Sequence, residues 1–479
     1  MAALATAQLV IALDYSIVNM ALPDIGRTLG FANGTLQWVI SAYTLAFGGF
    51  LLLGGRAADL LGRRRMFMAA LALFGVASFV GGLAANAGLL IASRAVQGVG
   101  GALLFPATLS LVNTTFTEGH ERNRALAVWG SAGAGGLSLG VLAGGVLTGL
   151  FGWAAVFFVN VPITAALLVL APLVLQDGGS APRPRRFDTK GAVLVTLGAM
   201  AIVDALVQAP ALGWTSARTL IGAAGGLVLL GLFVAVELRV QSPLMPLRLL
   251  RMPTVGGGAL VTAAFMSSFG TQLFFLTLYL QQVLGYDPLE AGLRFLPLVL
   301  SIVIGNQVGG RLVERLGIAR TLAAGMALGA LGLALYMRLP PTGSLGDLLP
   351  GMLVAGLGQG VAFTTMYVAV STGVTAGEQG VASAIASTAQ QLGGSVGLAA
   401  LVALLSERAT ALGGTPAGLT GRPPGVLTAA LHATFAAQAG IAVLGAVVAL
   451  LVISGGRRSQ RRRAGYRETD HYSPIRAGA

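Results

Sequence analysis

The chain has no cysteine, three histidines and a single lysine, Lys190, among 479 residues. The lack of cysteine excludes disulfides, thiolate metal sites and cysteine nucleophiles. His120, His432 and His471 form no ligand cluster, and no Ser/His/Asp arrangement is found, so enzyme chemistry and metal binding are unsupported. Charge is scarce as well. Only 10% of residues are Asp, Glu, Lys or Arg, against roughly 25% in soluble domains. The N-terminus has neither the charged region nor the cleavage signal of a secretory leader. Its first apolar run starts almost at Met1, so a short cytoplasmic leader is expected to be missing from the sequence.

What is present is apolar. Hydrophobic residues make up 55% of the chain, mean hydropathy is +0.81, and the 70 glycines fall mostly inside apolar windows, where small residues let helices approach closely. Windows long enough to cross a hydrocarbon core predict spans near 3–22, 36–58, 66–86, 88–112, 124–150, 153–175, 189–209, 217–238, 253–283, 288–312, 318–338, 347–371, 379–405 and 430–454. Residues 413–424, rich in Gly and Pro, read as an external loop. The net charge of +13 does not indicate nucleic acid, because the basic residues lie between spans and in a terminal tail. With the N-terminus inside, twenty-three of them fall on the cytoplasmic side and five outside, as the positive-inside rule requires. Both termini are then cytoplasmic. The expected organisation is a six-helix bundle over 1–175, a linker with two extra spans over 176–252, a second bundle over 253–456 and a basic tail over 457–479.

One segment occurs twice. Gly55, Arg56, Asp59, Gly62 and Arg65 align with Gly310, Arg311, Glu314, Gly317 and Arg320, in the pattern G-R-x-x-[DE]-x-x-G-x-x-R. Each copy joins two apolar spans on the same side. Duplicated halves that enclose a substrate site are a mark of secondary transporters. Asp14 stands near the middle of the first apolar run. A mid-bilayer charge costs at least ~2.5 kcal/mol, and such acids normally face a bundle interior or a wetted path. Asp14 therefore reads as a proton carrier facing a central cavity. Arg94, six residues from its span's centre, reads as a fixed charge beside it, with helix-to-helix hydrogen bonding as the plainer alternative. Asp204, within the seventh span, is a second acid to be paired, wetted or protonated; an interfacial position near Pro210 explains it equally well. Glu237, close to a helix end, reads as structural.

These motifs carry a family resemblance. The Gly55-x-x-x-Asp59-x-x-Gly62-Arg63-Arg64 loop resembles the signature between helices 2 and 3 of the major facilitator superfamily, with Leu60 where a basic residue is common and Arg315 in the second copy. Leu13-Asp14-x-Ser16-Ile17-Val18-Asn19 and Trp153-x-x-Val156-Phe157-Phe158-Val159-Asn160-Val161-Pro162 resemble strings of its fourteen-helix drug:proton antiporters, and Gly292-x-x-Phe295-x-Pro297 does so too. Arg94-x-x-Gln97-Gly98 resembles the superfamily's fourth-helix motif. Gly136, Gly140, Gly144 and Gly145 hold the place of the fifth-helix antiporter motif, but Val141 replaces its proline, which leaves the direction of transport open. The resemblance implies an all-α polytopic membrane protein of major facilitator fold, with two six-helix bundles plus two extra helices, about fourteen in all.

It also implies a conformational latch made by Gly55, Asp59, Gly62 and Arg63 with Gly310, Glu314, Arg315 and Gly317; the plainer alternative is that the arginines only fix topology and bind lipid headgroups. Gln37, Trp38, Tyr43, Phe275, Tyr279, Gln281, Gln359, Gln390 and Gln391 are aromatic and amide candidates for a substrate cavity suited to bulky amphipathic or cationic molecules, although for each one taken alone helix packing is the commoner role. The leading expectation is a proton-coupled exporter of drugs, antibiotics or related metabolites in a bacterial cytoplasmic membrane. It needs no cofactor beyond the proton-motive force, is surrounded by lipid and works as a monomer. A proton-linked transporter of one metabolite, lipid or siderophore is the second reading, and a transport-inactive membrane sensor or scaffold the third.

Overall fold

The computed structural model describes residues 1–31, 36, 38–175, 188–213, 215–240, 245–286, 288–413 and 423–453. Gln37, the linker 176–187, the loop 414–422 and the basic tail lie outside the described residues. Among the described residues fourteen long helices follow in order: α1 Ala2–Thr28, α2 Trp38–Leu61, α3 Arg63–Gly82, α4 Ala87–Thr115, α5 His120–Phe151, α6 (a turn, Ala155–Phe158, then Asn160–Val174), α7 Thr189–Leu212 and α8 Ala217–Glu237. After these come α9 Pro253–Val283, α10 Glu290–Leu316, α11 Ile318–Leu335, α12 Leu345–Ser371, α13 Gln379–Ala411 and α14 Pro424–Val448. Thirteen are long and apolar enough to cross a membrane by length and composition; α7, which carries Lys190 and Asp204, is the other. No strand occurs among the described residues.

Helix boundaries follow local chemistry. Asn86, Asp188 and Ser216 accept backbone N–H bonds at the starts of α4, α7 and α8, and Ser344 with Asp347 forms a capping box on α12. Each satisfies donors that a helix start leaves unpaired. The two copies of the repeat end alike. Gly62 (φ +96°) and Gly317 (φ +78°) turn α2 into α3 and α10 into α11, in backbone geometry that side chains disfavour.

Packing repeats with the sequence. In the first half α1 lies on α5, α2 and α3 on α4, and α3 on α6; in the second, α9 lies on α13, α10 and α11 on α12, and α11 on α14. Between halves, α5 meets α10 and α2 meets α13, a reciprocal pair. The α7–α8 hairpin leans on α2 and α13. α10 and α12 run side by side in the same direction, Leu298 beside Gly356 and Asn306 beside Thr364, so the Gly317 turn lies at the end of α12 where α13 begins, the end that Asp59 of α2 meets; both turns share one face, called here the repeat face. Asp59 and Glu314 occupy equivalent places at it.

Glycines set the closest crossings. A Cβ built on Gly136, Gly140 or Gly144 would stand 2.5–2.6 Å from the carbonyl oxygens of Leu9, Leu13 and Ile17 on α1. Gly393 and Gly397 of α13 approach Ala263 and Ser267 of α9 in the same way. Gly98 meets the α2 backbone at Tyr43, and Gly360 the α10 backbone at Ile302. Gly145, expected in the α5 packing face, is exposed with open space around it, because one residue further along rotates it about 100° away from Gly144. Gly140→Val is therefore expected to lose most folded protein, since neither the Leu13 carbonyl nor the α1 backbone can yield, whereas Gly145→Ala should be neutral. Monodisperse yield after detergent extraction measures both; equal yields would contradict the packing account.

Candidate functional site

Asp14, which the sequence led us to expect facing a central cavity, is completely buried among helices of the first bundle. The reason is its partners. Arg94 Nη1 donates to Asp14 Oδ2 at 2.8 Å, while Gln97 Nε2 (2.8 Å) and Asn160 Nδ2 (2.9 Å) donate to Oδ1. Three hydrogen bonds and a countercharge replace the water that a cavity would have supplied. Arg94 also donates to Gln97 Oε1 at 2.6 Å and to the Val39 carbonyl at 3.1 Å. Its guanidinium lies 4.3 Å from the centre of the Tyr43 ring. Asn160 Nδ2 reaches Ser78 Oγ at 3.1 Å, and Ser78 donates to the Phe157 carbonyl. Helices α1, α2, α3, α4 and α6 thus converge on one carboxylate. The i,i+3 spacing of Arg94 and Gln97 puts both on the α4 face that meets α1.

The equivalent place in the second bundle is neutral. Gln359 is aligned with Gln97 by its Gln-Gly pair, and donates to Gln272, which donates to Tyr336 Oη at 3.0 Å. Gln438 of α14 donates to the Ser268 carbonyl (3.0 Å) and to Thr271 Oγ1 (2.8 Å). None of these residues is ionised at neutral pH. Only the first half carries a charge pair there.

A second polar constellation joins the halves at the repeat face. Asp59, 1% exposed in its side chain, accepts from the backbone N–H of Gly380 and Val381, both at 3.1 Å, and from Arg63 Nη2 at 3.1 Å. These amides belong to the first turn of α13, where N–H groups lack helical partners and the dipole is positive. Asp59 caps a helix of the opposite half. Gly55 makes this possible, because its Cβ would collide with the Gly380 carbonyl and Ala384. Arg63 also donates to the Ala376 carbonyl and to Ser110 Oγ. The second copy is weaker: Glu314 meets His120 at 2.7 Å, at a site open to solvent, and Gly310 faces Asn123 less closely. Arg315, expected in the latch, is exposed and makes no ion pair among the described residues. Deeper in, Trp129 of α5 packs its ring 5.0 Å from Tyr367 and 6.4 Å from Phe363 of α12. The halves are joined at the repeat face in this conformation.

The sequence matches the family model described as Major Facilitator Superfamily over residues 4–398. The chain belongs to the Major Facilitator Superfamily. It is 40% identical to the cephamycin export protein CmcT of Amycolatopsis lactamdurans, over 86% of this chain and 85% of that protein. Identity is 41% to the puromycin resistance protein pur8 of Streptomyces alboniger (85% and 81% covered), and 34% to the multidrug resistance protein Stp of Mycobacterium tuberculosis (82% and 73%). Its fold resembles that of the human organic anion transporter MFSD10, with TM-score 0.66 at 15% identity over 94% and 98% of the two chains. It also resembles the proton:xylose symporter XylE, with TM-score 0.62 at 14% identity over 94% of each. It is a multi-pass membrane protein, and members of this superfamily carry small molecules.

The cavity candidates fare differently from the charges. Tyr43, Phe275, Tyr279 and Gln359 are all buried inside their own bundles. Tyr43 packs on Arg94, Tyr279 donates to the Pro340 carbonyl at 2.7 Å, and Gln359 is held by Gln272. In this conformation these contacts pack helix against helix. Trp38, Gln281, Gln390 and Gln391 are half-buried. Asp204 is half-buried on α7, has no hydrogen-bond or ion-pair partner among the described residues, and is not brought near Asp14. Glu237 accepts from the Met245 N–H at 3.0 Å, a structural cap. The sequence reading overlooked Asn160 and Ser78 as site residues. Asn160 lay in a quoted string, yet nothing in the sequence says which face of α6 meets α1.

Proposed function

We propose that this chain is a proton-coupled exporter of hydrophobic or amphipathic drugs, antibiotics or related metabolites, working as a monomer in the bacterial cytoplasmic membrane with both termini inside. The observation that carries the reading is Asp14, a completely buried carboxylate that can hold one proton, beside the fixed charge of Arg94. Relatives named for export of cephamycin, resistance to puromycin and multidrug resistance support the substrate class. The arginine bias of the sequence supports the orientation, which makes the repeat face cytoplasmic and this conformation closed towards the cytoplasm. No cofactor is needed. The proton-motive force supplies about 2.3 kcal/mol per charge per 100 mV from its electrical part.

Expression in an efflux-deficient bacterial host tests this. Tolerance of several chemically unlike amphipathic compounds is expected to rise, and to collapse when a protonophore is added. Unchanged tolerance across a broad panel would instead favour a transporter of one metabolite, lipid or siderophore.

A further inference from the structure

All three side chains bonded to Asp14 donate to it, an environment suited to a carboxylate. A protonated Asp14 has a different need, because its O–H must itself find an acceptor. Arg94 offers none, and Gln97 Oε1 already takes Arg94 Nη1 at 2.6 Å. Asn160 Oδ1 is buried and has no hydrogen-bond partner among the described residues, although its Nδ2 lies 2.9 Å from Asp14. From the helices packed around Asp14, the charged or titratable groups facing it are Arg94 of α4 and Tyr43 of α2. Helices α3, α5 and α6 present Ser78, a glycine face and Asn160.

We infer that the Asn160 side-chain amide is a two-position hydrogen-bond switch read by the protonation state of Asp14. With Asp14 ionised, Nδ2 faces the carboxylate. When a proton binds at Asp14 Oδ1, the amide turns over and Oδ1 accepts the new O–H. Asn160 Nδ2 gives up its bonds to Asp14 Oδ1 and Ser78 Oγ, the Asp14 O–H donates to Asn160 Oδ1, the only covalent bond made is O–H, and release of the proton reverses these changes. Ser78 Oγ, which donates to the Phe157 carbonyl and accepts from Nδ2 while Asp14 is ionised, loses that donor when the amide turns. The turn passes the protonation state of α1 to α3 and α6, and it rests on the reading of Asp14 as the proton carrier.

Infrared difference spectra of the full chain in lipid, recorded across pH, test the switch. A carboxylic-acid band that vanishes in Asp14→Asn is expected, and in Asn160→Leu it should move to higher frequency as the acid loses its acceptor. Gln438→Leu serves as control, since Gln438 holds the matching place in the second bundle without an acid, and should leave the band unmoved. Should Asn160→Leu not fold, wild-type protein labelled with carbon-13 at the asparagine side-chain carbonyl decides. One amide band should then shift with the same pH midpoint as the carboxyl band. An acid band unmoved in Asn160→Leu, an amide band that ignores the titration, or an equal shift in Gln438→Leu would overturn the switch. If no Asp14-dependent band titrates at all, the carrier reading itself falls, a distinct signature.

Discussion

Asp14→Asn is expected to abolish proton-driven transport and also to lower the amount of folded protein. Were Asp14 on an aqueous cavity, asparagine would be a nearly silent replacement. The structure makes it a costly one, because its amide NH2 would face donors and Arg94 would keep a buried charge without a partner. Breaking a buried pair from one side costs about 3–5 kcal/mol. Removing both charges should undo that loss. Asp14→Asn with Arg94→Gln gives a neutral amide network like the Gln272–Gln359 pair of the other bundle, so the double variant is expected to recover much of the yield and none of the coupling. Size-exclusion profiles of tagged protein, beside transport in vesicles, measure the two separately. Equal yields for Asp14→Asn and the double variant would contradict the charge-pair account.

Asp59→Asn should act on conformation more than on folding. Asparagine keeps one acceptor for an α13 amide but loses the second, along with the pairing to Arg63. Charge-assisted hydrogen bonds are worth ~1.5–3 kcal/mol, so the closed repeat face should lose about tenfold to a hundredfold in relative population. The chain has no native cysteine, which makes the shift directly readable. A single cysteine at Ala384, against Gly55 in the closed interface, should react with a membrane-impermeant maleimide much faster in Asp59→Asn. Transport should fall by more than protein level does. Unchanged labelling with matched losses of transport and protein would assign Asp59 a structural role only.

The spans were legible because lipid imposes one rule, an apolar run of sufficient length for every crossing. The expected α9 window, 253–283, coincides with Pro253–Val283 even though two π-helical turns interrupt it. The duplicated loop was legible because Gly62 and Gly317 are needed for positive φ. Pairing of Asp14 with Arg94 could be anticipated, since two buried opposite charges have few other places to go. The facing of neutral residues could not. Period and hydropathy do not distinguish a helix side turned to a cavity from one turned to its neighbours, so Tyr43, Phe275, Tyr279 and Gln359 stood as candidates for a path with packing the commoner role for each, and all four are buried. Asn160 was missed for the same reason, since only the crossing of α6 with α1 and α3 makes it a ligand of the acid.

Substrate-driven proton release in proteoliposomes tests the central claim most directly, using a compound to which expression of the chain confers tolerance. Wild-type protein should release protons when the compound is added and accumulate it against its gradient under an imposed pH difference. The Asp14→Asn/Arg94→Gln variant should still exchange labelled for unlabelled compound, yet release no protons and accumulate nothing. Proton release and uphill accumulation by that variant at the wild-type rate would contradict the account.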